Sequence, residues 1–306
     1  STKIVTIPQG ATMKEIAGTL QDSGIITKPD FFVFIVGMSD KDKDIKPGDH
    51  ELRPDMAYET ILSELISDPM DSSLSVSVTF PEGMRLVDAA DLLEENNVCD
   101  ADEFLDYFNH SAKFGYAYED YLPSFQDEKF YQMEGYLFPD TYEFYMGEDP
   151  VSVLNKMILR FDQIFTEEMR QAMTDQGMSI NDAVIIASMI EKETDGSDQR
   201  RISSVIYNRL TNTSATNGLL NDATILYATG GTVVDTSADT PYNTYRHAGL
   251  PPTAIANPGA DALRAAVNPE STSYYYYALG DDGVHHFFKT HQEQLSFIAT
   301  QERYRN

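Results

Sequence analysis

An internal repeat constrains this chain more than any other feature of its sequence. The first copy begins at Ile7 and reads IPQGATMKEIAGTLQDSGIITKPDFF; the second begins at Phe80 and reads FPEGMRLVDAADLLEENNVCDADEFL. Alignment on the Pro-x-Gly turn brings five apolar pairs into register, namely Ile16/Ala89, Ala17/Ala90, Leu20/Leu93, Ile25/Val98 and Phe31/Phe104. Because each copy begins with a strand-like run and continues with helical spacing, the sequence predicts a strand, a turn and two short helices, twice.

Local signals in the repeat mark where its helices start. Thr12 precedes Glu15 by three positions and Asp100 precedes Glu103 by three, which is the spacing of a capping box. After the first copy, the segment IKPGDHELRPD predicts a returning strand, and the run from Ala57 to Ile66 predicts a helix that closes the unit.

The rest of the chain mixes short helices and strands. We predict helices over Val151–Met173, Arg201–Leu210 and Ala260–Val267, a helix through AVIIASMIEKE capped by Asn181 or Asp182, and a strand in SYYYYALG. Because no regular βαβ alternation occurs, the predicted fold class is α+β. The predicted division is a repeat module at 1–110, an aromatic and acidic linker at 111–150 that leads into a second domain, and that domain at 151–306.

The net charge excludes one large class of partners. The chain of 306 residues has 49 Asp and Glu against 22 Lys and Arg, which gives a formal charge of −27. Nucleic-acid binding requires clustered basic side chains, so we expect no nucleic acid as a partner. Cys99 is the only cysteine, which excludes an intramolecular disulfide.

The sequence offers little for a metal or a cofactor. His285, His286 and His291 form the only histidine cluster, and neighbours on a strand point to opposite faces, so at most one of the first two can join His291. No H-E-x-x-H, P-loop or G-x-G-x-x-G motif occurs, and no lysine lies beside a Gly-rich helix start suited to pyridoxal phosphate. We therefore expect neither a metal nor a cofactor.

The segment AVIIASMIEKETDG contains the strongest candidate for catalysis. On a helix, Glu193 lies over Met189 and Ile190, whereas Glu191 lies over the smaller Ala187 and Ser188. An apolar wall disfavours the charged carboxylate, and it would raise the pKa of Glu193 toward a general-acid value of about 6. The alternative is an ordinary solvated acidic end of a helix.

Two turn-rich segments are candidates for substrate binding. LLNDATILYATG and PYNTYRHAGLPP combine amide, hydroxyl and aromatic groups, which suit the hydroxyls and ring faces of a sugar. For each residue taken singly, a structural role in a turn remains the alternative. With one histidine of the terminal cluster, the candidate binding residues are Asn221, Asp222, Thr224, Tyr242, Asn243, Thr244, Tyr245, Pro251 and His286.

Several motifs in succession carry a family resemblance. In chain order they are EGMRL, MEGYLFPDTYEF, IEKET, YNRL, NDATILY, YNTY, GLPPTAIANPG and HHFF. Together they cover nearly the whole chain, and they resemble the YceG-like endolytic murein transglycosylase family. The resemblance implies an N-terminal LysM-like α/β module, which would contain the repeat, followed by a mixed α+β catalytic domain.

The resemblance also implies a reaction. Family members cleave the β-1,4 bond between N-acetylmuramic acid and N-acetylglucosamine within peptidoglycan strands, and the muramyl C6 hydroxyl closes to a 1,6-anhydro end. The family's catalytic glutamate matches Glu193, which would act as general acid and then as general base. Thr194 follows it as serine follows glutamate in other lytic transglycosylases, Glu191 would support the site, and Asp222 and Asn243 would position substrate.

Location, partners and alternatives follow from the same resemblance. It implies an extracytoplasmic protein anchored in the cytoplasmic membrane by an N-terminal helix absent from this chain, with glycan strands as substrate and wall-synthesis or division proteins as possible partners. Gln294 stands where relatives often have histidine, and His50 where they often have tyrosine. The alternatives are a non-catalytic peptidoglycan-binding scaffold and, less favoured, a pyridoxal-dependent aminodeoxychorismate lyase, a label that relatives have carried.

Overall fold

The structure is a computed structural model that describes residues 2–39, 41–70, 74–107, 131–194, 196, 198–216 and 218–305. The chain divides into two units. The first unit comprises Ser1–Val78, Ala90–Phe114 and Thr141–Lys156; the second unit comprises Thr79–Ala89, Gly115–Asp140 and Met157–Asn306. Part of the predicted linker, residues 111–130, lies outside the described residues, and the domain boundaries derived from the sequence stay a prediction.

The first copy of the repeat forms a strand pair with helices. In chain order its elements are β1 (Lys3–Ile7), α1 (Met13–Asp22), α2 (Pro29–Ser39), β2 (Gly48–Leu52) and α3 (Tyr58–Ile66). β1 pairs antiparallel with β2, so the predicted returning strand and the closing helix are confirmed. The capping box of α1 is also present, because the Thr12 hydroxyl accepts the Glu15 N–H at 3.3 Å and the Glu15 carboxylate accepts the Thr12 N–H at 2.7 Å.

The second copy follows the same order of elements. It consists of β3 (Ser75–Thr79), α4 (Leu86–Glu95), α5 (Ala101–Asp106) and β4 (Thr141–Tyr145), and β3 pairs with β4. The aligned apolar pairs are buried with one exception: Phe31 is 52% exposed, whereas Phe32 is fully buried. Phe32 and Phe104 are each the fourth residue of their helix, so a one-residue difference in helix start moves the buried position from Phe31 to Phe32.

The remaining elements are helical apart from one hairpin. They are α6 (Pro150–Ile164), α7 (Glu167–Asp175), α8 (Ile180–Glu193), α9 (Gln199–Thr211), α10 (Asp222–Thr229), α11 (Ala260–Val267), β5 (Tyr276–Leu279), β6 (His285–Phe288) and α12 (His291–Ile298). β5 pairs antiparallel with β6, and α12 packs against both. This mixture of helices and small sheets confirms the predicted α+β class.

Two details of the predicted helices are wrong. The segment Val151–Met173 forms two helices, because Thr166 caps a new one by accepting the Met169 N–H at 3.4 Å. The cap of α8 is Ser179, and Asp182 completes a capping box as the third helical residue. Asn181 is buried, and its side chain accepts a hydrogen bond from the Tyr136 hydroxyl at 3.0 Å.

Helix α8 is the centre of the second unit. Every residue from Ala183 to Ile190 is buried, and the helix packs against α11, α9, α10 and α7. Helices on several sides hold α8 in place, so the position of its C-terminal residue is well defined. In the part of the chain that the structure describes, no helix combines the length and apolar character needed to cross a membrane.

Candidate active site

Glu193 is the last residue of α8, and its carboxyl faces a polar cavity. The apolar wall predicted beneath it is formed by Ile186, Met189 and Ile190, all fully buried. At Thr194 the backbone leaves the helix with φ −159° and ψ 144°. The cavity has a volume of about 250 Å³ and is lined by Glu193, Arg209, Leu220, Asp222, Tyr245, Tyr276, Tyr277, His291 and Gln294.

Opposing influences act on the Glu193 carboxyl. Burial raises its pKa, and the nearby charge of Asp222 raises it further. A hydrogen bond from the Tyr277 hydroxyl and the charges of His285 and Arg209 act in the opposite direction. Asn221 also donates from Nδ2 to Glu193 Oε1 at 2.7 Å. Burial thus favours the protonated form of the carboxyl, and hydrogen bonds from Asn221 and Tyr277 stabilise the ionised form.

Asn221 has two roles at once. Its Oδ1 caps α10 by accepting the Thr224 N–H at 3.1 Å, and its Nδ2 reaches Glu193. Its own N–H donates to the Thr244 hydroxyl at 3.0 Å, and the residue is 2% exposed. Thr224 and Thr244, both predicted as binding residues, are buried and hold Asn221 in place.

The loop before α10 has two uncommon backbone conformations. Gly218 has φ +146°, and a Cβ at this position would lie 2.2 Å from the Thr244 carbonyl oxygen, so glycine is required. Leu220 has φ 54°, which is uncommon for a residue other than glycine, and its N–H donates to the same carbonyl at 3.3 Å. Such conformations concentrate at functional loops.

In the YNTY segment, one residue of four lines the cavity. Tyr245 does so, and its hydroxyl donates to Asp222 Oδ1 at 2.7 Å. The Tyr242 hydroxyl is buried and lies 2.6 Å from that of Thr253. Asn243 is buried as well, and its side chain donates to two backbone carbonyls of the preceding loop, at 3.0 and 2.8 Å. Tyr242, Asn243 and Thr244 therefore shape the segment that presents Tyr245.

Arg209 lines the cavity, and sequence reasoning missed it. Its side chain is 6% exposed, Nε donates to the Tyr275 carbonyl at 2.7 Å, and Nη1 donates to the Leu219 carbonyl. The guanidinium lies 5.6 and 5.8 Å from the ring centres of Tyr276 and Tyr277. A signal was available: with Ile202, Val205 and Ile206, Arg209 completes the buried stripe of α9.

Of the paired histidines, His285 is the one near Glu193. Its Nδ1 lies 2.6 Å from Asp198 Oδ2, its ring meets Tyr277 edge-on, and its charge acts on the Glu193 carboxyl. His286 instead lies 2.9 Å from Asp282 and packs on Phe297. Strand alternation correctly separates the two histidines but does not say which one faces the site.

The terminal helix α12 contributes two residues to the cavity. His291 stacks on Tyr276 with ring centres 5.4 Å apart. Gln294 donates from Nε2 to the Tyr277 carbonyl at 2.7 Å. The terminal segment therefore holds the two tyrosines of β5 that line the cavity.

The other predicted residues are not among those that line the cavity. Glu191 accepts the Gly259 N–H at 3.0 Å, at the start of α11. The Thr194 hydroxyl donates to Asp198 Oδ1 at 2.8 Å, so Asp198 joins Thr194 to His285. Pro251 is buried. Among the residues that the structure describes, no group of three or more His, Cys, Asp or Glu side chains could hold a metal ion.

Comparison with known proteins gives matches along almost the whole chain. The profile of the YceG-like family matches residues 5–300. The chain belongs to the YceG-like family. A crystal structure of a putative YceG-like protein from Listeria monocytogenes is similar, with a TM-score of 0.61 and 27% identity over 96% of this chain and 98% of that one.

Curated relatives of this YceG-like chain are named for an activity. The endolytic murein transglycosylase of Bacillus subtilis is 27% identical over 94% of this chain and 82% of its own length. The endolytic murein transglycosylase of Streptococcus pneumoniae strain D39 is 27% identical over 98% of this chain. The chain spans 58% of the length of that second relative.

Proposed function

We propose that this protein is a lytic transglycosylase that cleaves the β-1,4 bond between N-acetylmuramic acid and N-acetylglucosamine within peptidoglycan strands. The observation that carries the proposal is the Glu193 carboxyl, which lies at a polar cavity with a pKa raised by burial. The names of the relatives from Bacillus and Streptococcus support the same substrate. Glu193 is the proposed general acid and, after the first proton transfer, the general base.

In the first step, protonated Glu193 donates to the oxygen that links the two sugars. The bond between that oxygen and the muramyl C1 breaks, the glucosaminyl hydroxyl leaves, and C1 acquires oxocarbenium character. A raised pKa keeps the proton on the carboxyl to higher pH than in a free glutamate, which favours a general acid. The Asn221 amide and the Tyr277 hydroxyl then donate to the carboxylate that remains.

In the second step, the Glu193 carboxylate takes the proton of the muramyl C6 hydroxyl. The C6 oxygen bonds to C1, the anhydro ring closes, and Glu193 is protonated again for the next cycle. Because the nucleophile belongs to the same sugar, the attack is intramolecular and needs orientation rather than a second catalytic carboxylate. Asp222, held by Tyr245, and the Asn243-supported loop serve to position the sugar.

The proposal extends to the repeat and to location. Murein lies outside the cytoplasmic membrane, so we place the activity there, with attachment to that membrane and with wall-synthesis or division proteins as neighbours. The repeat would act as a LysM-like module that holds glycan weakly. Sedimentation with insoluble peptidoglycan tests this last point, and equal binding by the full chain and by a chain lacking residues 1–110 would contradict it.

Product analysis tests the reaction itself. Purified protein is incubated with peptidoglycan and the fragments are identified by mass spectrometry; we expect anhydromuramyl ends, which are lighter than reducing ends by one water. Glu193→Gln should form none at matched concentration. Glu191→Gln is the matched control, because it makes the same change at a neighbouring acid whose carboxylate accepts the Gly259 N–H and does not line the cavity. Reducing ends would indicate a hydrolase, and no product from any preparation would favour a scaffold.

A further inference from the structure

Arg209 is a buried cation that makes no salt bridge with the residues that the structure describes. The side chain is 6% exposed and lines the Glu193 cavity. Among the described residues, no carboxylate oxygen lies within 4.0 Å of its guanidinium nitrogens. A buried charge without a close counter-charge is unfavourable unless a ligand completes it. The protein contacts of Arg209 are thus two backbone carbonyls and two tyrosine rings, with the Glu193 charge acting from beyond salt-bridge distance.

One guanidinium nitrogen of Arg209 is left without an acceptor in the described part of the chain. A guanidinium has five N–H groups; Nε donates to the Tyr275 carbonyl and Nη1 to the Leu219 carbonyl, whereas Nη2 has no acceptor among the described residues. The buried side-chain atoms without a partner in this part of the chain are Arg170 Nε and Ser203 Oγ. Nη2 is not among them, so it is accessible to solvent and can donate into the cavity that Arg209 lines.

The surroundings hold the guanidinium in a fixed plane. The ring centres of Tyr276 and Tyr277 lie 5.6 and 5.8 Å from it. The two hydrogen bonds to carbonyls restrict rotation of the guanidinium about the side-chain bonds. Because Nε and Nη1 already donate to carbonyls, Nη2 is the nitrogen left to donate to a ligand, and a carboxylate oxygen is the acceptor that a guanidinium prefers. The ligand chemistry that this arrangement suits is therefore a carboxylate with an oxygen in the cavity.

We propose that Arg209 is the subsite for a carboxylate carried by the muramyl residue next to Glu193, an inference that rests on the proposed function. Of the two sugars, muramic acid alone bears a lactyl group, whose carboxyl is free in strands without stem peptides and is amide-linked when a peptide is attached. Glucosamine offers no carboxylate. Binding at Arg209 would therefore place the sugar that supplies the C6 hydroxyl beside Glu193.

Changes to the substrate test this without altering the protein. Three glycan preparations are compared: strands without stem peptides, the same strands with the lactyl carboxylates converted to neutral methyl amides, and strands with intact peptides. We expect a KM about 10-fold higher for the methyl amides than for the free carboxylates, the value of one charge-assisted contact, with a smaller change in kcat. Equal KM values for free acid and methyl amide overturn the assignment.

The intact strands identify the source of the carboxylate. If the intact strands have the same KM as the free-acid strands, the carboxylates of the stem peptide make the contact. If they have the same KM as the methyl amides, the lactyl group makes it. Failure of the proposed function has a different signature, because then no preparation yields anhydromuramyl ends. A titration of inactive Glu193→Gln with the first two preparations measures the same preference as a ratio of Kd values, without turnover.

Arg209→Lys provides the matched protein change. Lysine keeps the positive charge but lacks the planar guanidinium and its Nη2 donor, so we expect the KM for free-acid strands to rise toward that for methyl amides while the latter stays unchanged. A uniform rise for both preparations contradicts a carboxylate contact. Arg209 also donates to the carbonyls of Tyr275 and Leu219, so the thermal stability of the variant is measured alongside its KM. If the variant is unstable, the test is the wild-type KM for free-acid strands compared with that for methyl amides.

Discussion

Two glutamates of the second unit, Glu134 and Glu193, have a pKa raised by burial, and their surroundings differ in one respect. Glu193 faces a cavity of about 250 Å³. Glu134 is 1% exposed and is enclosed by protein, and burial raises its pKa to about 8. The same electrostatic effect therefore occurs at a carboxyl that substrate can reach and at one that it cannot.

The contacts of Glu134 explain its presence. Oε1 accepts the Leu86 N–H at 2.9 Å and the Asn257 amide at 3.3 Å, and Oε2 accepts the Tyr227 hydroxyl at 3.2 Å. Asn257 in turn accepts the N–H groups of Gly135 and Leu137, each at 3.0 Å. Glu134 thus joins segments that are far apart in sequence, which is a structural role.

The difference teaches that a perturbed pKa locates a buried acid but not a catalytic one. What distinguishes Glu193 is access to a cavity, because both carboxyls accept hydrogen bonds that can stabilise their anions. The carboxylate subsite proposed at Arg209 would add a binding role that the Glu134 cluster lacks.

The largest expected effect is on turnover. Glu193→Gln should lower kcat for anhydromuramyl release by about 10³-fold, the usual value of a general acid–base group. Glu134→Gln should leave kcat within about threefold, because its carboxyl does not reach the cavity. Initial rates on one peptidoglycan preparation measure both. Equal losses in the two variants would remove the functional distinction between the glutamates.

The next largest effect is on the free energy of unfolding, and here we expect the larger loss at Glu134 rather than at Glu193. Glu134→Ala removes the acceptor to which the Leu86 N–H and the Tyr227 hydroxyl donate, so we expect the free energy of unfolding to fall by about 3 kcal/mol. Glu193→Ala should cost about 1 kcal/mol or less, since water in the cavity can replace the carboxyl. Urea unfolding measures both, with Glu134→Gln as the shape-conserving control. A smaller loss at Glu134 than at Glu193 would reverse the assignment.

How far the sequence predicts the site depends on the range of the contacts. Glu193 was predictable because its apolar wall lies three and four residues before it on the same helix. Arg209, Tyr277 and His285 come from α9, β5 and β6, and only tertiary packing brings them together. Asn221 was predicted as a binding residue, but its bond to Glu193 depends on the left-handed turn at Leu220, which no local pattern indicates.

The fold shows the same limit. The repeat, the capping box at Thr12 and helix α11 follow from local periodicity and were predicted within a few residues. Errors arose where one residue decides the outcome, as at Thr166, whose hydroxyl starts a new helix, and at Phe31, where the helix start decides which phenylalanine is buried. The structural role of Glu134 depends on Asn257 and could not be read from the sequence of either segment.

A third prediction uses pH to separate the glutamates. Between pH 4.5 and about 8 the unfolded chain loses the Glu134 proton while the folded protein keeps it, so the folded state binds more protons. Its contribution to the free energy of unfolding is fully present below pH 4.5 and decreases by about 1.4 kcal/mol per pH unit up to about 8. Glu134→Gln should remove that slope from urea unfolding curves. An unchanged slope would mean that Glu134 is ionised in the folded protein.

The smallest expected effect concerns the donor to Glu193. The Tyr277 hydroxyl lowers the pKa of Glu193, so Tyr277→Phe should raise that pKa and move the alkaline limb of the kcat/KM profile to higher pH. Tyr276→Phe is the matched control, because the neighbouring hydroxyl donates to the Ala215 carbonyl at 3.3 Å instead. Glu134→Gln should leave the limb in place, since the enclosed acid takes no part in turnover. If Tyr276→Phe and Tyr277→Phe moved the limb equally, the shift would reflect the general polarity of the cavity rather than a bond to the Glu193 carboxyl.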